Sequence, residues 1–266
     1  MTQDSLAQTL ATLLPTESGL QATVTENWKQ GRTTFGGLTA ALLLETALRT
    51  LPDLPPLRSA LVDFTGPVTE PATFRATVLR QGRNITTVEA RATIDGQVVA
   101  TGNFSFGVSR DSSIHVENRA PDAPNPSDTP HMIPKPAQSM APSFQHNFDL
   151  RLIEGALPGM GATRGYLRGW ARHKDPASRD GIVPLLCIGD ILPPAVFPLF
   201  PRLGPNSSVK WMFNLTDTDL TTEDGWWHVE SEVIAAANGY SSQVMRIWSS
   251  DGRLIADGMQ SVIVFV

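Results

Sequence analysis

Apolar and polar residues alternate over much of this chain, and two dense apolar segments, 36–49 and 182–200, stand out against that background. Residues 36–49 (GGLTAALLLETALR) open on two glycines and are then rich in Ala and Leu, which predicts one long helix. A proline-rich turn follows, and after it come four extended runs at 58–65, 72–80, 85–94 and 98–106. Alternation is clear in the second and third, and Asp95-Gly96 between the third and fourth is a strong hairpin signal. The first part of the chain therefore reads as a helix and then an antiparallel meander.

From about 108 to 143 the pattern lapses. Seven prolines mixed with Ser, Asp and Asn read there as a linker. Beyond it, 147–155 and 163–172 are predicted strands, the apolar segment 182–200 follows, and four more extended runs occupy 207–216, 226–236, 240–249 and 253–265, with Asp251-Gly252 as a hairpin turn. The two series superimpose. SALVDF from Ser59 matches SVKWMF from Ser208, and DGQVVA from Asp95 matches DGRLIA from Asp251, a longer loop at 216–225 absorbing the extra spacing. A repeat of this size predicts a duplicated α+β module rather than a solenoid: 1–110, a linker at 111–143, and 144–266. A helix laid on one face of an antiparallel sheet buries both apolar surfaces. The open sheet edges invite the two copies to pair edge to edge.

Composition narrows the function classes. With 41% hydrophobic and 18% charged residues and a net charge of −5, the chain has the make-up of a globular protein. It has no basic stripe to displace phosphate counterions, so no nucleic-acid partner is expected. Gly181–Phe200 contains Asp190 and four prolines and makes a poor membrane span. The N-terminus has no early Lys or Arg and does not read as a secretory signal, so a cytoplasmic location is expected. Cys187, the single cysteine, sits among Leu185, Leu186 and Ile188 and reads as an inert core thiol. The five histidines lack metal-ligand spacing, so no metal site is expected.

Several short words occur in order along the chain. The first copy has Trp28, Phe35-Gly36-Gly37, Phe64-x-x-Pro67-Val68 and Arg80-x-Gly82-Arg83. The second has Gly189-Asp190 followed by Ile-Leu-Pro-Pro, Ser207-Ser208-Val209, and Asp251-Gly252 followed by Gln260. In this order and spacing the sequence resembles the acyl-CoA thioesterase family that includes the bacterial type II thioesterases. The resemblance implies a double hotdog, two tandem modules each with a long helix wrapped by an antiparallel sheet. It implies hydrolysis of acyl-CoA to free acid and CoA without a cofactor, and a homo-oligomer, a dimer of double hotdogs, is the expected assembly. Carried over residue by residue, it also implies that Asp190, Ser208 and Gln260 hold the attacking water. Ser208 stands where the type II enzymes often have Thr, and Lys210 where they often carry an acid.

The same residues can be weighed on their chemistry. Asp190 is an isolated acid in an apolar run, where burial raises a carboxyl pKa and makes a better base. Pro193 and Pro194 cannot donate helical bonds to the carbonyls of Gly189 and Asp190, so a kink would leave the acid beside an opening for water. The plainer reading is that Asp190 caps a helix beginning at Ile191. Gln260 lies on a strand of Val, Ile and Phe, where an amide costs free energy unless it is hydrogen-bonded. Ser208 has no helpfully spaced histidine and is expected to orient water rather than attack. The first-copy counterparts are Phe104 for Gln260, Ser59 for Ser208 and Ala41 nearest Asp190, which predicts one active site per chain. Gly36 and Gly37 at the helix start could offer N–H groups to an oxyanion or permit tight packing, and both readings stand. The Arg80–Arg83 corner reads as a solvated turn before a contact for CoA phosphates, and Trp226-Trp227 as packing before an acyl channel. Two rivals remain: hydration or dehydration of an enoyl thioester, which needs a histidine with an acid, and a non-catalytic acyl-CoA-binding protein, in which the three residues would not converge.

Overall fold

The computed structural model describes residues 3–69, 71–202 and 204–265. In chain order the elements are α1 (Leu6–Ala11), β1 (Leu14–Thr16), β2 (Gly19–Gln21), β3 (Lys29–Gln30), β4 (Thr33–Thr34), α2 (Gly36–Thr50), β5 (Leu57–Phe64), β6 (Thr73–Gln81), β7 (Ile85–Ile94) and β8 (Gln97–Gly107). After a long irregular segment come β9 (Phe148–Gly155), β10 (Tyr166–His173), α3 (Ile182–Gly189), β11 (Asn206–Leu215), β12 (Trp227–Ala237), β13 (Tyr240–Trp248) and β14 (Leu254–Val264). Apart from the small β3–β4 pair, all strands join one twelve-stranded sheet in the order β1-β2-β6-β7-β8-β5-β11-β14-β13-β12-β10-β9. The order is palindromic. β2-β6-β7-β8-β5 of the first half mirrors β10-β12-β13-β14-β11 of the second, and this is the double-hotdog α+β architecture.

The predicted meander is corrected at one strand. β6, β7 and β8 run as a meander, but β5 pairs with β8 and not with its neighbour in sequence, β6. The loop from 65 to 72 carries the chain from one side of that meander to the other, and this leaves β5 free to pair with β11 across the middle of the sheet. That seam is symmetric. Leu61↔Met212 lies at its centre, Trp211↔Val62 is matched by Phe213↔Ala60, and Lys210↔Asp63 by Asn214↔Ser59. The symmetry also corrects the register read from sequence. Leu57↔Phe106 and Ser208↔Val262 each precede a one-residue bulge, so the counterpart of Ser208 is Leu57, and Ser59 corresponds to Lys210. Matching residue types put the serines in line, whereas the bulges at Arg58 and Val209 set the true alignment.

α2 is buried almost all round, including Leu38, Leu42, Leu43 and Leu44, because it lies between β6–β8 on one side and α3 on the other. Each of those leucines contributes roughly 1.5–3 kcal/mol by leaving water. The hydroxyls of Thr39 and Thr46 donate to the Phe35 and Leu42 carbonyls at 3.2 and 2.7 Å, so these polar groups are satisfied within the helix. In the second half the helix is short. The apolar segment 182–200 forms only eight α-helical residues, with a single 3-10 turn at Phe197–Leu199, since Pro193 and Pro194 cannot supply the bonds that would continue the α-helix. The irregular segment between β8 and β9 is tied down. Arg119 and His131 form isolated bridges with Arg253 and Arg151, the Trp170 indole donates to the Pro124 carbonyl at 2.9 Å, and Met132 and Phe144 are buried. Among the described residues no helix is long and apolar enough to cross a membrane.

Candidate active site

Asp190 ends α3 and does not begin a helix at Ile191, so the capping expectation is corrected. It is half-buried, and it faces the start of α2. The Gly37 N–H donates to its carboxyl group, one of the first-turn donors of α2 that have no partner inside the helix. Asp190 therefore sits where the positive end of the α2 dipole favours an anion. Two glycines make this approach possible. A Cβ on Gly36 would lie 2.5 Å from Asp190 Oδ2, and one on Gly37 would lie 2.2 Å from the Cys187 carbonyl oxygen. Phe35, just before them, is stacked on Phe144 at 4.1 Å and meets the edge of Phe148 at 6.2 Å, which fixes the entry to the helix. Gly189 has a similar role on the other side. A Cβ there would come within 2.9 Å of the Trp211 ring and 3.0 Å of the Phe213 ring, both projecting from β11.

The other two expected residues come together with the acid. From β14, Gln260 Nε2 donates to Asp190 Oδ1 at 2.8 Å and to Ser208 Oγ, on β11, at 3.1 Å. Gln260 is only 3% exposed, so an amide there must be bonded at both ends. Its Oε1 accepts from Gln243 Nε2 at 2.7 Å, and Gln243 Oε1 accepts from the Ala195 N–H at 2.8 Å. Gln243, on β13 directly opposite Gln260, is the residue that the sequence reading missed. A signal was present: alternation along β13 buries Gln243 on the same face as Met245 and Ile247. At the equivalent positions of the first half stand Leu57, Val88 and Phe104, as the matching registers β5–β8 and β7–β8 show.

Burial pushes the Asp190 carboxyl up to about 7, against the opposing effect of hydrogen bonds from Gln260 and Gly37. A carboxylate tuned to this range can both take and return a proton near neutrality. Burial also holds the Cys187 thiol well above its ordinary range, with the nearby Asp190 charge adding to the effect. The Arg80–Arg83 corner is exposed, and Trp226 and Trp227 are both buried. The Arg172 guanidinium lies over the Trp226 ring at 4.4 Å. Among the described residues no cluster of His, Cys, Asp and Glu could hold a metal ion.

Comparison with known proteins bears on the family and the fold. A family model described as the acyl-CoA thioesterase N-terminal domain matches residues 24–107, and one described as the acyl-CoA thioesterase C-terminal domain matches residues 117–264. No curated protein matches the sequence. Among solved structures, a conserved hot dog-fold protein from Alicyclobacillus acidocaldarius is 24% identical with a TM-score of 0.88, covering 100% of this chain and 99% of that one. The tesB protein of Mycobacterium avium subsp. paratuberculosis is 17% identical, TM-score 0.79, over 99% of this chain and 100% of that one. The acyl-CoA thioesterase II TesB2 of Mycobacterium marinum is 20% identical, TM-score 0.76, over 98% of each. At these identities the likeness is one of fold. With both family models matched in their natural order, the chain belongs to the acyl-CoA thioesterase family and is a thioester hydrolase.

Proposed function

We propose that the chain hydrolyses acyl-CoA by a water that Asp190 activates and that Ser208 and Gln260 help to hold. The observation that carries this reading is the single amide of Gln260, which bridges Asp190 and Ser208 at 2.8 and 3.1 Å. Asp190 takes a proton from the water as its oxygen attacks the thioester carbonyl. The carbonyl oxygen becomes negative, and the N-terminal turn of α2, with Gly36 beside the acid, provides the field that stabilises it. Gly37 serves this site through the acid that its N–H holds. The tetrahedral species then collapses, the carbon–sulfur bond breaks, and the CoA thiolate takes the proton back from Asp190. Acid and thiol leave, and Asp190 is ionised again.

Enoyl hydration or dehydration is the weaker reading. Among the described residues no histidine is hydrogen-bonded to Asp190. The two buried histidines are engaged elsewhere: His173 with the Pro184 carbonyl, and His228 between the rings of Trp170 and Trp248. Burial pushes both down to about 4. The test is release of free thiol from a panel of acyl-CoAs, acetyl to palmitoyl, by the wild type and by Asp190→Asn. The variant keeps the shape and loses proton acceptance, so its rate should fall by roughly 10²–10⁴ while its circular dichroism is unchanged. Near-normal hydrolysis by Asp190→Asn across the panel would remove Asp190 as the base.

A further inference from the structure

We propose that Gln243 is a positioning residue for this reaction: anchored by the Ala195 N–H, it dictates which end of the Gln260 amide faces Asp190. The inference rests on the reading of Asp190 as the base and extends it to a residue that touches neither water nor substrate.

The reasoning is one of donors and acceptors. The oxygen and nitrogen of a glutamine amide are nearly the same in size, so packing cannot choose between them and only hydrogen-bond partners can. A backbone N–H can only donate. The Ala195 N–H, 2.8 Å from the Gln243 amide, must therefore meet its oxygen, and the Gln243 nitrogen must point the other way. That nitrogen lies 2.7 Å from the Gln260 amide, whose oxygen it requires. The Gln260 nitrogen is then left to face Asp190 and Ser208. The origin of the relay lies in the chain itself. Ala195 follows Pro193 and Pro194, which have no N–H to give, and its own N–H is directed to the Gln243 side chain instead of continuing a helix. Gln243 is fully buried, with no water to replace a lost partner.

Were the Gln260 amide reversed, its oxygen would meet the Asp190 carboxylate, acceptor against acceptor. The contact would be relieved by a proton on Asp190, and a protonated acid cannot act as the base. The orientation held by Gln243 thus favours the ionised form of Asp190. This agrees with the lowering effect of the Gln260 hydrogen bond on the Asp190 pKa, which burial otherwise raises. The surroundings are simple in charge. Cys187, on the same helix, is held protonated by burial, while α2, β11 and β14 present Gly37, Ser208 and Gln260, none of them charged. In the first half the matching residues are Val88 and Phe104, and no amide there needs orienting.

The experiment is the pH profile of kcat/KM for wild type, Gln243→Met, Gln243→Leu and Asp190→Asn. The two Gln243 variants retain bulk and lose the donor, so the acid limb should move to higher pH by about one unit. Near neutrality the rate should then fall by about fivefold, and by about tenfold well below the limb, with most of it regained above it. A uniform loss at every pH, or an unmoved limb, would overturn the positioning role. If Asp190→Asn is inactive while both Gln243 variants keep the wild-type limb, only this inference falls. If Asp190→Asn is fully active, the assignment of the base falls and takes the inference with it. Should neither Gln243 variant fold, the unaltered protein still decides. The ¹⁵N-labelled side-chain amide of Gln260 should shift with pH as Asp190 titrates, and that of Gln243 should be protected from exchange. A Gln260 amide indifferent to pH, or a Gln243 amide that exchanges like an exposed glutamine, would overturn the proposal.

Discussion

The two halves of the sheet have one backbone plan and opposite chemistry at three matching positions. Leu57, Val88 and Phe104 in the first half occupy the positions that Ser208, Gln243 and Gln260 hold in the second. Bulges fall at the same places, so the difference lies in side chains and not in path. The helices differ in the complementary sense. α2 runs for fifteen residues and is buried along most of its length, while α3 stops after eight with an acid at its end. The lesson is a division of labour: one half gives the intact helix whose first turn holds the acid, and the other gives the broken helix and the polar layer. A buried polar layer stabilises less than an apolar one of the same volume unless every group is paired. Here Asp190, Ser208, Gln260, Gln243 and the Gly37 and Ala195 N–H groups are paired with one another.

The division of labour is broken most completely by separating the halves. Residues 1–110 and 144–266 expressed apart should each lack detectable thiol release, because Asp190 would lose the Gly37 N–H and each half would expose its seam. A soluble, active 144–266 would show that the first half is dispensable. Next in size is the paired action of Ser208 and Gln260. Each single change to Ala should lower kcat by roughly 10–100-fold, and the double change should add little, as for residues acting on one water. Thermal melts should fall modestly, by about 1–2 kcal/mol per lost buried hydrogen bond. Additive melting losses with unchanged kcat would make both residues structural. The smallest effect is expected from making the first half resemble the second. Phe104→Gln should leave the rate unaltered and cost about 3–5 kcal/mol, through lost aromatic packing and an amide without partners. A new activity with the Asp190→Asn background would contradict a single site per chain.

Much of this was readable from residue order. The helix at 36–50, the ten long strands and the hairpins at Asp95-Gly96 and Asp251-Gly252 follow from local alternation and from turn residues that adopt positive φ, such as Asp95, Gly96 and Gly252. Local pattern could not place β5 beside β8, because strand pairing across a loop is decided by the whole sheet. It also aligned Ser59 with Ser208, since a bulge leaves no mark in residue type. Gln260 was conspicuous on an apolar strand. Gln243 was not, because its meaning depends on facing Gln260 across the ladder and on an N–H from a third segment.

The seam has a kinetic consequence. Leu61↔Met212 joins residues from opposite halves of the chain, whereas each half closes its own hairpins over short loops. Contacts of such long range are slow to form because the loop entropy must be overcome first. Strand content should therefore appear on refolding before the two halves zip together. The Gly37 N–H reaches Asp190 only across that junction. Catalytic competence should thus be among the last properties acquired, and recovery of thiol release should lag behind recovery of far-ultraviolet circular dichroism.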